Sequence, residues 1–363
     1  MGTVKTYASV KHGKLYEVWY RKPDGKRGHQ RGFKLKREAE AYLASVEVSK
    51  LKGAYVNRAD AKVTVRDLGV DWLERHKAKV TASSHHSVES SWRVHVEPKW
   101  GGYAVGAVVR RDVESWLLHL GQTRSHTTVA RARDLLAGIF DDAVEDNRIT
   151  KNPARGLTIK KKPIPDEVFL SHEQVENLAV SSRYAGLVRF LAYTGLRWGE
   201  ATALRVRSVD VARRRVNIRE AVAEVNGAHV LGGVKSHERR TVAYPDFLDE
   251  AIRAACAGKA PDDRLWSADD GTFLRPGNSV SGWFQGAVKR CMNADATFRR
   301  VTPHDLRHTA ASLAISAGAN VKVVQRMLGH KSAKVTLDTY AALFPDDLDN
   351  VTEALSRQRA EQL

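Results

Sequence analysis

Thr302-Pro303-His304-Asp305-Leu306-Arg307-His308 is the stretch on which the reading of this 363-residue chain turns. Thr302, with Asp305 three residues on, has the spacing of a capping box, and Pro303 suits a first helical position, so a helix start is predicted. His304 and Arg307 then share one face at the positive end of that helix. Two cationic groups aimed together from a helix N-terminus make a poor core and a good anion site. A capped helix with solvated polar residues explains the stretch as well, so the decision falls to its neighbours.

Upstream, in Tyr193-Thr194-Gly195-Leu196-Arg197-Trp198-Gly199-Glu200, Gly195 can end one helix and place Arg197 at the start of the next. Between these two stretches lies a strand-rich region. Val216-Asn217-Ile218-Arg219 alternates, Asn226-Gly227 is a two-residue hairpin signal, and Val230, Val234 and Val242 can continue a small sheet. Lys235, in Gly232-Gly233-Val234-Lys235-Ser236-His237-Glu238-Arg239-Arg240-Thr241-Val242, falls on the loop joining two of its strands. Downstream, Asn320 caps a short helix holding Val321, Val324 and Leu328, and Gly329 closes it. His330 follows the closure, and Ser332 can cap a further helix that carries Tyr340. Taken singly, Arg197 reads as an ion-pair residue, Lys235 as a solvated turn and Tyr340 as a core aromatic.

Taken in order, the set is more specific. Arg197, Lys235, His304-x-x-Arg307, Leu328-Gly329-His330 and Tyr340 resemble the signature of the tyrosine recombinases, or phage integrases, at all six active positions. The resemblance is close from about residue 165 to 345. It implies DNA strand exchange through a 3′-phosphotyrosyl intermediate and a Holliday junction, integrating a phage or prophage genome at attachment sites and, with a helper, excising it. Tyr340 would be the nucleophile, Arg197 and Arg307 the phosphate clamp, and Lys235 the acid that protonates the leaving 5′ oxygen. His304 would assist proton transfer from Tyr340, and His330 would hydrogen-bond to the phosphate. Guanidinium groups suit a bidentate hold on phosphate, and a phenol with a pKa near 10 needs such help to act as a nucleophile. No cofactor, metal or ATP is expected. The implied partners are core-type and arm-type sites on double-stranded DNA, three further copies in a tetramer, a host DNA-bending protein and a phage excisionase or directionality factor.

Composition agrees with an anionic partner. The chain carries 59 Lys+Arg against 42 Asp+Glu, a net charge of +17, which favours nucleic acid or an acidic membrane face. Two cysteines, Cys256 and Cys291, cannot build a disulfide framework or a cysteine-based zinc site. The N-terminus lacks the apolar run of a signal peptide, and no apolar stretch is long enough to span a bilayer. A reducing interior is therefore expected, and the resemblance implies the bacterial host cytoplasm, on the nucleoid or phage DNA, without a membrane partner.

The pattern along the chain predicts a multidomain, mainly α protein with α+β parts. Residues 1–56 read as a small β-sheet plus helix, with strands at Leu15–Tyr20 and from Gln30 to Leu35 and a helix at Lys36–Leu51. Between Met1 and Tyr55 there are 13 Lys+Arg and 5 Asp+Glu, and cationic strands bearing Tyr and Trp suit a β-ribbon entering a DNA groove. This module resembles the arm-type DNA-binding module of lambda-type integrases. Residues 57–63 read as a linker and 64–156 as an all-α domain resembling the family's core-binding domain. In it, Val129, Ala132, Leu136, Ile139, Phe140 and Ala143 line one helix face, and Asn152-Pro153 ends the region. Residues 157–164 read as a second, basic linker, 165–345 as a mixed, mainly helical catalytic domain with a small antiparallel sheet, and 346–363 as a C-terminal tail, which the resemblance implies is exchanged between protomers. The overall resemblance is to integrases of temperate actinobacteriophages, including mycobacteriophages. Two rivals remain: a recombinase of a conjugative or other mobile element, and a DNA-binding regulator with a silent active site.

Overall fold

Three antiparallel strands open the chain in the computed structural model: β1 (Thr3–Ser9), β2 (Gly13–Arg21) and β3 (Arg27–Phe33), in that order across the sheet and backed by α1 (Lys36–Leu51). The structure describes residues 2–23, 25–51, 53, 55–56, 60–160, 167–233, 239–275, 281–344 and 348–362. Val18 of β2 and Ala39 and Val46 of α1 are buried. A register shift between Tyr16 and Glu17 turns the middle strand. Glu17 then accepts hydrogen bonds from Trp19 Nε1 (2.9 Å) and Arg31 Nε (3.0 Å) and pairs with His29 Nε2 (3.0 Å). These contacts hold its carboxyl down at about 2, with Trp19 the largest contributor. β1 is an addition to the two strands expected, and the returning strand starts at Arg27 rather than Gln30.

The helical region after this module contains α2 (Val65–Lys77), α3 (Ala82–Ser91), a π-helical turn at Trp92–Val96, α4 (Glu97–Trp100), α5 (Arg110–Thr123) and α6 (His126–Glu145). Thr64 caps α2 reciprocally with Asp67, and Thr81 and Ser125 cap α3 and α6. All six residues expected on the apolar face of α6 are buried, against Trp92, Trp100 and Trp116 among others. Asn152 Nδ2 donates to the Ala137 carbonyl (2.7 Å), tying the chain after α6 back onto that helix. By internal contacts the chain divides at Pro163/Ile164 into two units.

The second unit is built on α7 (His172–Val180), α8 (Ala185–Thr194) and α9 (Trp198–Ala203), then β4 (Val209–Asp210), β5 (Arg215–Ile218), β6 (Glu220–Val225), β7 (Ala228–Gly233) and β8 (Arg240–Ala243). It continues with α10 (Asp249–Cys256), α11 (Trp283–Ala294), α12 (Asp305–Ser316), α13 (Val321–Leu328), α14 (Ala333–Tyr340) and α15 (Leu348–Gln362). The strands form two sheets rather than one: β4-β5-β8, and a separate hairpin β6-β7. Asn226 (φ 52°) and Gly227 (φ 76°) make the hairpin turn as expected, since both positions need positive φ. Val230 lies in the hairpin and Val242 in the other sheet, while Val234 is outside the described residues.

α8 runs through the middle of this unit. Leu187, Val188, Phe190 and Leu191 are fully buried and pack with Phe284, Val288 and Leu306. Each such side chain contributes about 1.5–3 kcal/mol, so α8 is a rigid base for the turn at its C-terminal end. A second cluster joins Ala311 and Ile315 of α12 with Val324 and Leu328 of α13 and Tyr340 of α14. Among the described residues, no helix is long and apolar enough to cross a membrane.

Candidate active site

Gly195 ends α8 in a left-handed conformation (φ 66°, ψ 19°), which a glycine adopts without Cβ strain. The turn frees its carbonyl and places Arg197 at the cap of α9. Gly329 (φ 65°, ψ 48°) does the same at the end of α13, immediately before His330. Arg307 joins the two turns. Its Nη1 donates to the Gly195 carbonyl and its Nη2 to the Leu328 carbonyl, both at 2.6 Å, and the residue is only 3% exposed. Burial first, and then the nearby Arg197 and Arg240, push Arg307 down to about 9, partly offset by Glu200. It therefore stays cationic at neutral pH.

The helix carrying Arg307 starts slightly later than the sequence predicts. His304 is the cap residue of α12 and Asp305 its first residue, so Pro303 lies before the helix. Thr302 donates to the Asp305 carboxylate through both its N–H (2.6 Å) and its hydroxyl (2.8 Å), so only the backbone arm of a capping box forms. His304 still has helical backbone angles (φ −72°, ψ −33°), which keeps it on the same face as Arg307. Likewise Asn320 caps α13 through the N–H groups of Lys322 and Val323, whereas Ser332 heads α14 without a side-chain cap bond.

Glu200 organises the arginines. It is 1% exposed and accepts from Arg197 N–H (3.0 Å), Arg197 Nη1 (2.8 Å), Arg240 Nη1 (3.0 Å) and Arg240 Nη2 (2.6 Å). Burial alone would raise its carboxyl, but the Arg240 and Arg197 contacts outweigh that and hold it at about 2. Arg240 also donates through Nε to the Met327 carbonyl (3.3 Å), tying β8 to the end of α13. A Cβ on Gly329 would lie 2.9 Å from Arg240 Cδ, so the glycine also makes room for this side chain.

Three histidines and the tyrosine complete the cluster. His330 Nδ1 pairs with Thr336 Oγ1 (3.0 Å); burial, followed by Arg307, Arg197 and Arg240, pushes it down to about 4. His304 is lowered by burial and by His308, whose ring lies edge-on to it at 5.0 Å. The Tyr340 hydroxyl donates to His308 Nδ1 (2.9 Å) in the tautomer with its proton on Nε2. Tyr340 is 1% exposed, and burial pushes it up to about 12 despite Arg307.

The structure therefore brings together five of the six sequence-predicted residues: Arg197, His304, Arg307, His330 and Tyr340 act on one another electrostatically or through the turns they flank. Lys235 lies outside the described residues, just before β8. Sequence reading attaches no role to Glu200, Arg240 or His308. The three-residue spacing of Arg197 and Glu200 could have signalled the first, whereas nothing local announces that Arg240 or His308 reaches the site.

Residues 168–346 match the phage integrase family and residues 66–160 the phage integrase central domain. The integrase of Mycobacterium phage L5 is 26% identical over 375 residues, covering 98% of this chain and 97% of that one. The transposase from transposon Tn916 of Enterococcus faecalis is 24% identical over 291 residues, covering 73% and 70%. The Tn1549 transposon integrase, solved in complex with a circular intermediate DNA, superposes with a TM-score of 0.68 at 20% identity over 81% of this chain and 99% of that chain. A lambda integrase tetramer bound to a Holliday junction gives 0.56 at 14% identity, over 90% and 96%. The chain belongs to the phage integrase family, the site-specific recombinases of the tyrosine type. Along nearly its whole length it is similar to mycobacteriophage integrases, and so is like the lambda-type integrases of actinobacteriophages.

Proposed function

We propose that Tyr340 attacks a scissile DNA phosphate and is left joined to the 3′ end, while Arg197 and Arg307 hold the non-bridging oxygens. The observation that carries this reading is the burial of Arg307 between the turns that present Arg197 and His330, with Tyr340 in electrostatic reach. Donors fixed before the substrate arrives stabilise the charge that develops in the transition state without reorganising. His330 is held neutral by its surroundings and donates to the phosphate, and His304 stands at the α12 cap on the same side as Arg307. Lys235 is assigned the protonation of the leaving 5′ oxygen.

The test is covalent trapping on nicked suicide duplexes cut from the DNA flanking the chain's own gene. A denaturation-resistant adduct mapped to Tyr340 and lost in Tyr340→Phe supports the assignment; an adduct elsewhere removes Tyr340 as nucleophile. Salt-sensitive binding of the same DNA without any adduct would favour the silent regulator. For Lys235→Ala, slow cleavage should recover on a substrate with a better 5′ leaving group, and absence of recovery would remove the general-acid role.

In this reading residues 1–56 hold arm-type sites, 64–156 and the catalytic domain at 165–345 both bind the core site, and the tail at 346–363 engages a neighbouring protomer. Four copies carry out two strand exchanges through a Holliday junction in the bacterial cytoplasm, assisted by a DNA-bending protein and an excisionase. Support comes from the +17 charge and from the mycobacteriophage and lambda relatives. Deleting residues 1–56 should abolish joining of distant sites and spare core-site binding. Loss of core binding would reassign that module. Binding should weaken steeply with salt as counterions are released. The mobile-element relatives keep a conjugative or transposon origin as the second reading.

A further inference from the structure

We propose that His308, with Glu167 beside it, takes the proton from Tyr340 as its oxygen attacks the phosphate, an inference that rests on the recombinase reading. The Tyr340 hydroxyl is 2.9 Å from His308 Nδ1, with the ring centroids 5.7 Å apart. Glu167 Oε2 stands 3.4 Å from the same nitrogen. That oxygen is buried and has no hydrogen-bond partner among the described residues. The segment bearing Glu167 is fastened beside His308, because Leu170 N–H donates to the hydroxyl of Thr309, the next residue of α12 (3.2 Å).

The surroundings suit a base. His308 faces Tyr340, Glu167 and the ring of His304, with Asp305 and Arg307 on its own helix. Burial lowers His308 and Arg307 adds to that, with Asp305 opposing, so the imidazole is neutral at pH 7 and open to a proton. The phenol it serves is pushed up to about 12 by burial, so unaided ionisation is unfavourable and a base within hydrogen-bond reach matters. His304 lies one turn earlier, and the hydroxyl's hydrogen bond goes to His308.

In the step, the Tyr340 oxygen–phosphorus bond forms and the phosphorus–O5′ bond breaks. The phenolic proton moves to His308 Nδ1, and the leaving O5′ takes a proton from the acid assigned to Lys235. The imidazolium now points its N–H at Glu167, whose carboxylate stabilises it. On rejoining, the incoming 5′ hydroxyl gives its proton back to Lys235 as it attacks phosphorus, the bond between phosphorus and the Tyr340 oxygen breaks, and His308 returns its proton to that departing oxygen. Glu167 acts only through His308 and is a positioning residue.

The experiment follows single-turnover adduct formation by the full chain on the nicked flanking duplex across pH. Wild type should show an acidic limb, with His308→Gln slower by about 100-fold and lacking it. Placing trifluorotyrosine at position 340, which lowers the phenol pKa, should close most of that gap. A His308→Gln protein with wild-type rate and limb, or a defect untouched by trifluorotyrosine, overturns the proposal. If His308→Gln fails to fold, Glu167→Gln decides. Removing the carboxylate should slow cleavage and move the limb to lower pH, because the imidazolium loses its stabilising charge; an unmoved limb overturns the proposal. Wild type without a Tyr340 adduct would instead remove the recombinase reading itself, and this inference with it.

Discussion

Arg240 grips Glu200 with both terminal nitrogens, at 2.6 and 3.0 Å, although the two residues are 40 positions apart in the chain. Both are nearly sealed from solvent, with side chains 10% and 1% exposed. The pair holds Glu200 where its carboxylate also fixes Arg197. One buried negative charge therefore offsets the repulsion among Arg197, Arg240 and Arg307.

Breaking a pair this buried leaves an uncompensated charge. Arg240→Met should lower stability by about 3–5 kcal/mol in urea unfolding. Arg214, paired with Asp249 at a more exposed place, provides the contrast: Arg214→Met should cost far less, because solvent screens that pair. Equal losses for the two variants would contradict the role given to burial.

Gly329→Ala combines a left-handed backbone with a Cβ 2.9 Å from Arg240. The backbone term alone is about 1–2 kcal/mol, and the displaced Arg240 should slow cleavage as well. A variant with wild-type melting temperature and adduct rate would show that Arg240 relaxes without consequence.

Arg307→Lys keeps a cation but cannot reach two carbonyls from one planar group. Adduct formation should fall on the order of 100- to 1,000-fold, as when a fixed transition-state donor is removed, while affinity for the same duplex changes little. Parallel loss of binding and cleavage would make Arg307 a binding residue instead.

The buried histidines set a pH dependence of stability. His330 sits at about 4 in the fold against an ordinary 6.5, so the unfolded chain takes up its proton first. Stability should be full above about 6.5 and fall as pH drops toward 4, with His304 and His308 acting in the same direction. Glu200, at about 2 against 4.5, adds a further loss below about pH 4.5. In His330→Asn the slope of the urea midpoint between pH 6.5 and 4.5 should flatten; an unchanged slope would dissociate His330 from it.

Much of the site is readable before folding because its parts are local. Gly195 and Gly329 announce left-handed helix ends, Asn320 announces a cap, and Asn226-Gly227 announces a hairpin, each acting over only a few residues. The apolar face of α6 is readable for the same reason, since a 3.6-residue period is written in neighbouring positions. The start of α12 is displaced by two residues: Thr302 donates to Asp305 through its N–H and hydroxyl, and His304 takes the cap position instead.

The amino-acid sequence by itself determined several of the helix ends, the order of the cationic positions and the family to which they belong. Only the tertiary structure decided that Arg240 and Glu200 close on each other, that the strands divide into two sheets, and that Tyr340 bonds to His308 rather than His304. The physical reason is range. Periodicity, caps and turns act within about one helical turn, whereas a bond between residues 32 or 40 positions apart depends on where the packing of α8, α12 and α13 leaves each side chain.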